Sequence, residues 1–185
     1  NSLAFATSYD GSVVVGQAQD SSGITQAFRW TQASGMVPLG AGAAYGVSAD
    51  GSVVVGNSKF NGLNPHAFRW VGGSMADLET LSGTDSSYAN GVSANGQVVA
   101  GYAVNNEQSF QRAFRWANGT MSNLGSLGGS SEAFAASADG SVVVGQSGTT
   151  NNLVYRAFRW TAASGMKSVE EWLAAAGVQV AQSFA

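Results

Sequence analysis

Short apolar runs bounded by glycine recur along the chain, and each follows an Asp-Gly or Asn-Gly pair. The first is Val13 to Val15, which lies between Asp10-Gly11 and Gly16. Asp-Gly and Asn-Gly pairs tolerate the positive φ of tight turns, so they predict two-residue hairpin turns. A continuous β-branched run predicts a strand that is buried on both faces. The pattern therefore favours β-structure along most of the chain.

The same blocks recur four times in a fixed order. Ala-Phe-Arg-Trp begins at residues 27, 67, 113 and 157, so successive copies start 40, 46 and 44 residues apart. Each copy follows the block with the Asp-Gly or Asn-Gly pair, and a short turn ending in methionine follows each copy. These blocks predict four strands in every unit. The predicted units cover residues 3–43, 44–86, 87–131 and 132–182, and a fifth unit is expected to start at 183–185.

The period and the strand count indicate the fold. A unit of about 44 residues with four antiparallel strands is typical of one blade of a β-propeller. One such meander cannot bury both of its faces, so the units must stack. We predict an all-β, propeller-like array of four blades that forms one repeat domain over residues 1–185. The array either closes as a small ring, belongs to a longer propeller, or self-associates through its open sheet edges.

The tail departs from the strand pattern. Residues 169–176 are the one segment for which a helix is predicted, since Glu170 and Glu171 suit a first turn and Gly177 suits the end. At its start, the chain has an asparagine and no signal peptide. It is therefore expected to be a processed chain or a fragment.

Composition excludes several functions. Eight Lys and Arg against eleven Asp and Glu leave a net charge of −3, whereas nucleic-acid binders have a basic surface. The absence of cysteine excludes a disulfide scaffold, a cysteine-based zinc site and a thiol nucleophile. His66 is the only histidine, so no metal or cofactor is predicted. No apolar run approaches the roughly 18 residues of a membrane span.

Four arginines share one position of the motif, namely Arg29, Arg69, Arg115 and Arg159. A residue that is needed four times suits the blade better than it suits a single catalytic site. We expect each arginine to stack on an aromatic ring or to bond backbone carbonyls between blades. The alternative is a ring of arginines that lines a central channel and binds anions.

The connections divide into two kinds, and only one kind varies between units. The turns between the first and second strands, and between the third and fourth, repeat closely. The other connections differ in length and sequence, and in an up-and-down meander they lie at the same end. Variable loops on a rigid scaffold commonly carry binding, here of a glycan or a protein surface. The candidate binding residues on this loop end are Phe60, Asn61, Asn64, His66, Asp85, Tyr102, Asn105, Asn106, Phe110, Glu132, Asn151, Asn152 and Tyr155.

Enzymatic chemistry has one candidate pair. Asp85 and Glu132 are both predicted in connections between units at the variable end, and a glycosidase needs two carboxylates about 5–10 Å apart. No nucleophile elbow, phosphate-binding loop or dinucleotide fingerprint is present. We therefore predict a non-enzymatic binding scaffold. A carbohydrate-active enzyme and a purely structural spacer or assembly subunit are the alternatives.

The repeated blocks resemble the HAF-type extracellular repeat of bacteria. His66-Ala67-Phe68-Arg69-Trp70 matches the pattern fully, whereas Gln26, Arg112 and Arg156 stand at the histidine position in the other units. The resemblance covers nearly the whole chain. It implies a propeller-like fold and a location outside the cell or on its surface, as in autotransporter passenger regions. It implies a segment of a larger secreted protein and brings no catalytic residue.

Overall fold

The computed structural model describes residues 1–60, 64–150 and 154–178, and almost all of this is β-structure. Four antiparallel sheets follow one another along the chain, and each is made of four consecutive strands. Sheet 1 contains β1 (Ser2–Thr7), β2 (Val13–Gln19), β3 (Thr25–Thr31) and β4 (Gly35–Ala41). Sheet 2 contains β5 (Ala43–Val47), β6 (Val53–Ser58), β7 (His66–Val71) and β8 (Ser74–Asp77). Sheet 3 contains β9 (Ser86–Val92), β10 (Val98–Asn105), β11 (Phe110–Ala117) and β12 (Thr120–Asn123). Sheet 4 contains β13 (Ser131–Ala136), β14 (Val142–Gly148), β15 (Tyr155–Thr161) and β16 (Gly165–Ser168).

This architecture confirms the predicted array of four-stranded blades. The sheets begin at Ser2, Ala43, Ser86 and Ser131, each one residue before the predicted unit. The helix α1 (Val169–Ala175) ends one residue before the predicted end. The predicted start of a fifth unit at 183–185 lies outside the described residues.

Helix α1 begins where its sequence provides a cap. Ser168 accepts a hydrogen bond from the backbone of Glu171, and the Glu171 carboxylate accepts one from the backbone of Ser168. This reciprocal capping box satisfies two donors that a helix start would otherwise leave free. The two glutamates of the first turn are also favoured by the helix dipole.

The turns between the first and second strands are longer than predicted. Five residues, 8–12, separate β1 from β2, rather than the two of an Asp-Gly hairpin. Asp10 explains the difference, because its Oδ1 accepts hydrogen bonds from the hydroxyls of Ser8 and Ser12 and from the backbone of Ser12. Gly11 supplies the positive φ of 73°. Asn95 accepts the matching bonds from Ser93 and Gln97 in sheet 3, so the turn does not require a charge.

These turns predict a specific loss of stability in acid. Bonds from the Ser12 backbone and the neighbouring serine hydroxyls lower the pKa of Asp10 to about 2, and similar bonds do so for Asp50 and Asp139. A depressed folded-state pKa stabilises the fold above the unfolded-state pKa near 4, and this contribution disappears as the pH falls towards 2. Urea unfolding at pH 5, 3 and 2 is expected to show this loss.

The natural asparagine at position 95 suggests the control for the acid experiment. The triple variant Asp10→Asn, Asp50→Asn and Asp139→Asn keeps a turn like that of sheet 3 and removes the three titrating groups. Its stability is expected to vary less between pH 4 and pH 2 than that of the wild type. Equal slopes in the two proteins would contradict the assignment.

The sheets stack face to face in chain order. One face of sheet 1 presents Val13 and Val15 to Val54 and Phe68 of sheet 2 in one apolar cluster. Two further clusters fill the next two junctions in the same way. The first strands of neighbouring sheets also pack against each other, so β1, β5, β9 and β13 form the inner edge of the array. The valine runs are therefore buried on both faces in sheets 2 and 3, as predicted.

The two end sheets depart from that prediction. Val14 in sheet 1 is half-buried, and Val144 in sheet 4 is 41% exposed, while Val54 and Val55 in sheet 2 are fully buried. Among the described residues, the first and last sheets each pack against another sheet on one side only. In this part of the chain, the other face of each end sheet carries exposed apolar side chains.

Candidate functional site

Three of the repeated arginines bond a neighbouring sheet, and two of these, Arg29 and Arg69, also stack on a ring there. Arg29 donates from Nε and Nη2 to the carbonyl of Gly51 in sheet 2, both at 3.2 Å, and its guanidinium lies 5.8 Å from the Trp70 ring. Arg69 bonds Gly96 and stacks on Trp116 of sheet 3 in the same way. This confirms the predicted structural role. The alternative of a ring of arginines lining a channel does not fit these positions.

A bulge in the first strand of each sheet sets the inner edge. The pairing with the second strand shifts register by one residue in all four sheets. A glycine of the second strand faces each bulge, and a Cβ on Gly101 would lie 2.0 Å from the Tyr88 carbonyl oxygen. Such close approach of two backbones requires glycine. The extra residues in the bulges are Phe5, Tyr45, Asn90 and Phe134.

The bulge positions change from unit to unit, although their neighbours repeat. The bulge residues and the side chains next to them form one surface, which we call the inner surface. Phe5 and Tyr45 contact each other with ring centroids 5.1 Å apart, and Tyr88 stacks on Tyr102 at 4.9 Å. The inner surface consists of Phe5, Tyr45, Tyr88, Asn90, Tyr102, Glu132 and Phe134.

Glu132 is the charged group of the inner surface. Asn90 donates from Nδ2 to Glu132 Oε1 at 3.1 Å, and Gln146 donates from Nε2 to Oε2 at 3.3 Å. Asn90 also donates to the backbone of Ala133, so it joins sheet 3 to sheet 4. The two amides orient the carboxylate without neutralising its charge. The surface therefore offers one negative charge among aromatic rings.

The tyrosines of the inner surface are neutral at physiological pH. Burial, followed by the charge of Glu132, raises the pKa of Tyr102 to about 12. Burial is also the main cause that raises the pKa of Tyr45 and Tyr88 above the ordinary value. Their hydroxyls thus remain protonated and can donate hydrogen bonds to a ligand.

Two of the variable connections contact each other in the described part of the chain. The Asp85 backbone donates to the Val104 carbonyl at 2.9 Å, and Asn105 Nδ2 donates to the Gly83 carbonyl at 2.8 Å. Asn106 donates to the Asp85 carboxylate from both its backbone and its side chain. These bonds join the connection before β9 to the hairpin between β10 and β11. The structure thus brings Asp85, Asn105 and Asn106 into contact, as a clamp within sheet 3.

Asp85 and Glu132 have separate polar partners. The Asp85 carboxylate accepts hydrogen bonds from Asn106, in the hairpin between β10 and β11, and from Ser86, the first residue of β9. The Glu132 carboxylate accepts hydrogen bonds from Asn90 of the inner surface and from Gln146 of β14. Nothing in these contacts arranges the two groups around a common sugar bond. The geometry gives the carbohydrate-active alternative no positive support.

His66 has a carboxylate partner that its position in the sequence did not reveal. Its Nδ1 lies 3.0 Å from Asp77 Oδ2 across the pair β7 and β8. Glu79 lies beside them, with its backbone donating to Asp77 Oδ1 at 2.7 Å. The three side chains are the group among the described residues that could share a metal ion, with ligand atoms within 4.8 Å of one another. A nitrogen and two carboxylates are donors that suit zinc.

The other predicted residues that the structure describes are not brought into one site. Phe60 is half-buried against the core between sheets 1 and 2, and Phe110 lies under the Arg112 guanidinium at 4.7 Å. Asn64 is exposed in the connection before β7, and Tyr155 is exposed at the first position of β15 rather than in a loop. The predictions for Asn61, Asn151 and Asn152 lie outside the described residues.

The sequence predicts Tyr102 and Glu132 as candidate binding residues but not the residues beside them. Tyr45, Tyr88 and Asn90 lie in the first strands, for which the sequence predicts only a place in the blade. A signal existed, because the bulge position holds Phe, Tyr, Asn and Phe in the four units while the residue before it is always alanine. That variation within a repeated strand marks a position that the blade does not constrain.

Solved structures with a similar fold are β-propellers. TolB from Acinetobacter baumannii superposes with a TM-score of 0.67 at 16% identity, over 91% of this chain and 43% of that protein. A putative TolB from Agrobacterium tumefaciens gives 0.63 at 14% identity, over 88% of this chain and 62% of that protein. A puromycin hydrolase, solved as a mutant in complex with PGG, gives 0.59 at 16% identity, over 88% and 27%. The chain is a β-propeller-like array and spans less than two thirds of these proteins.

Other comparisons add no family. No family model matches the chain, and no curated protein matches it. The resemblance to the HAF-type repeat therefore stays a prediction. Among the described residues, no helix has the length and apolar character to cross a bilayer.

Proposed function

We propose that the chain is a non-enzymatic binding scaffold, whose inner surface and adjoining loop end hold a protein ligand. The resemblance of its repeats adds that it works outside the cell or on the bacterial surface, as a segment of a larger secreted protein in adhesion or binding. The observation that carries the proposal is the variation at the bulges. The arginines and turn residues of the motif serve the contacts between and within sheets, whereas the bulge position of the inner surface holds Phe in two units, Tyr in one and Asn in one.

The chemistry of the inner surface favours a protein segment over a glycan. Tyrosine is enriched at protein interfaces, because it combines a large apolar face with a hydroxyl. Tyr88 and Tyr102 stack on each other, so each has one ring face covered and only the other face is left for a sugar ring. The Glu132 carboxylate adds attraction for a lysine or arginine of the ligand.

A defined library tests the proposal. Phage-displayed random peptides, selected on the immobilised chain, are expected to yield binders that carry a basic residue. Glu132→Gln is expected to weaken a selected peptide about tenfold, since it removes the charge while leaving an oxygen that accepts a hydrogen bond. Isothermal titration of one selected peptide against both proteins measures the change.

Glu107→Gln is the matched control, because Glu107 is an exposed carboxylate at the loop end and takes the same substitution. It is expected to leave peptide affinity unchanged. Equal losses in the two variants would indicate a general charge effect and contradict the proposed site. Binding on a glycan array that Glu132→Gln abolishes, without any peptide binder, would replace the protein ligand by a glycan.

A further inference from the structure

The three junctions between sheets are built by one repeated device. At each of them an arginine donates to a glycine carbonyl of the next sheet, namely Arg29 to Gly51, Arg69 to Gly96 and Arg115 to Gly140. The same glycines have no space for a side chain, because a Cβ on Gly51 would lie 2.4 Å from a methyl group of Val13. Each sheet thus has a donor face, which carries the arginine, and an acceptor face, which carries the glycine turn and the tryptophan.

In the described ranges, no other sheet packs on the acceptor face of sheet 1. Gly11, the counterpart of Gly51, has no atom within 4 Å of a built Cβ. Trp30 is 36% exposed and Met36 is 50% exposed, whereas their counterparts Trp70 and Met75 pack against the core of the first junction. The face therefore has the glycine turn, the tryptophan and the methionine of an acceptor face, but no arginine of another described sheet bonds it.

The donor face of sheet 4 is open in the same way. Val144 is 41% exposed and Ala157 is exposed, while their counterparts Val15 and Ala27 are fully buried in the first junction. The arginine of this face contacts a residue of α1 instead of a neighbouring sheet. Arg159 lies 5.3 Å from the ring of Trp172 in α1, whereas Arg29 and Arg69 stack on the tryptophan of the following sheet.

We propose that the donor face of sheet 4 in one copy of the chain docks on the acceptor face of sheet 1 in a second copy. The contact repeats the three internal junctions, with Arg159 donating to the Gly11 carbonyl and stacking on Trp30. It joins sheet faces rather than the strand edges considered from the sequence. A head-to-tail contact of this kind joins different surfaces of the two copies, so it can continue into longer chains.

The internal junctions argue for this occupant. They show which surface covers an acceptor face, and the two end faces carry the same residue types as the joined ones at the valine, arginine and tryptophan positions. Helix α1 competes with the second copy, because the Trp172 ring already stacks on the Arg159 guanidinium in the single chain. The association is therefore weaker than an internal junction and depends on concentration.

Two blocked variants test the contact. Met36→Lys places a charge on the acceptor face, and Val144→Lys places one on the donor face. Both positions are exposed, so folding is expected to be retained and is checked by circular dichroism. In sedimentation velocity the wild type is expected to form oligomers that grow with concentration, whereas each variant alone remains monomeric. An equal mixture of the two variants is expected to form dimers and nothing larger, because one open face of each kind remains.

Each alternative result overturns the proposal. A mixture that stays monomeric would show that the two faces do not bind each other. A variant that dimerises alone would show a symmetric contact through another surface. A wild type that is monomeric throughout, with Trp30 protected from solvent quenchers, would show that sheet 4 closes onto sheet 1 within a single chain.

The competing role of α1 has its own measurement. Trp172→Ala, introduced into the Met36→Lys partner of the mixture, releases Arg159 of the open donor face. The dimer is then expected to be about 2- to 5-fold tighter, as the loss of one exposed cation–π contact implies. An unchanged or weaker dimer would show that α1 does not compete with the second copy.

Discussion

Gly101→Ala is expected to destabilise the fold by about 3 kcal/mol, because overpacking a tight site costs up to this amount or more. The added Cβ would lie 2.0 Å from the Tyr88 carbonyl oxygen and 2.9 Å from Cζ of Phe114. Tyr88 belongs to the neighbouring strand, and Phe114 is fully buried, so neither can move without disturbing the sheet or the core. The free energy of unfolding in urea measures the loss.

Gly35→Ala separates this clash from the ordinary cost of replacing glycine. Gly35 has a positive φ of 67° and open space around a built Cβ. Alanine at position 35 is expected to lower the free energy of unfolding only by the cost of a left-handed backbone, roughly 1–2 kcal/mol. Should Gly101→Ala cost no more than Gly35→Ala, the close approach of β9 and β10 would not be what requires glycine.

Arg69→Ala is expected to lower the free energy of unfolding by about 2–3 kcal/mol, the range for a charged hydrogen bond together with a cation–π contact. Its guanidinium donates twice to the Gly96 carbonyl, at 3.2 and 3.0 Å, and lies 5.8 Å from the Trp116 ring. The substitution leaves the turn carbonyl without its donor and opens the junction between sheets 2 and 3. Urea denaturation measures the change.

Arg159→Ala tests the same motif position at the open end of the array. Arg159 stacks on Trp172, itself 44% exposed, so about 0.5–1 kcal/mol is expected for its loss. Arg69→Lys is expected to recover part of the stability, since lysine keeps the charge but not the planar fork. Equal losses at positions 69 and 159 would refute the assignment of the arginine to the junctions.

Much of the fold follows from the repeat, because each block has a local cause. The Asp-Gly pairs mark the turns, although the serine bonds around Asp10 make those turns longer than the pair alone predicts. The valine runs mark the central strands, and the shared arginine position correctly predicts contacts between blades. The exposure of Val144 is the exception, because burial of its face depends on a neighbouring sheet that sheet 4 does not have.

The candidate site was harder to predict, since its parts come from different units. Tyr102 and Glu132 stand 30 positions apart, and Asn90 joins the neighbourhood from a third strand. Nothing in the local pattern links His66 to Asp77, because their contact depends on the register of β7 and β8. The bulges have the same origin, as a register shift is a property of two paired strands.

Periodicity and residue type are sufficient to establish the strand order, the blade-like unit, the role of the arginines and the absence of thiol chemistry. These features depend on residues that are close in the sequence or that recur in every unit, so they can be predicted from the sequence. The shared surface of Tyr45, Tyr88, Tyr102 and Glu132 and the two open end faces arise only when the sheets stack. Stacking brings together side chains that are distant in the chain, and among the described residues it leaves the first and last sheets each with one face on which no other sheet packs.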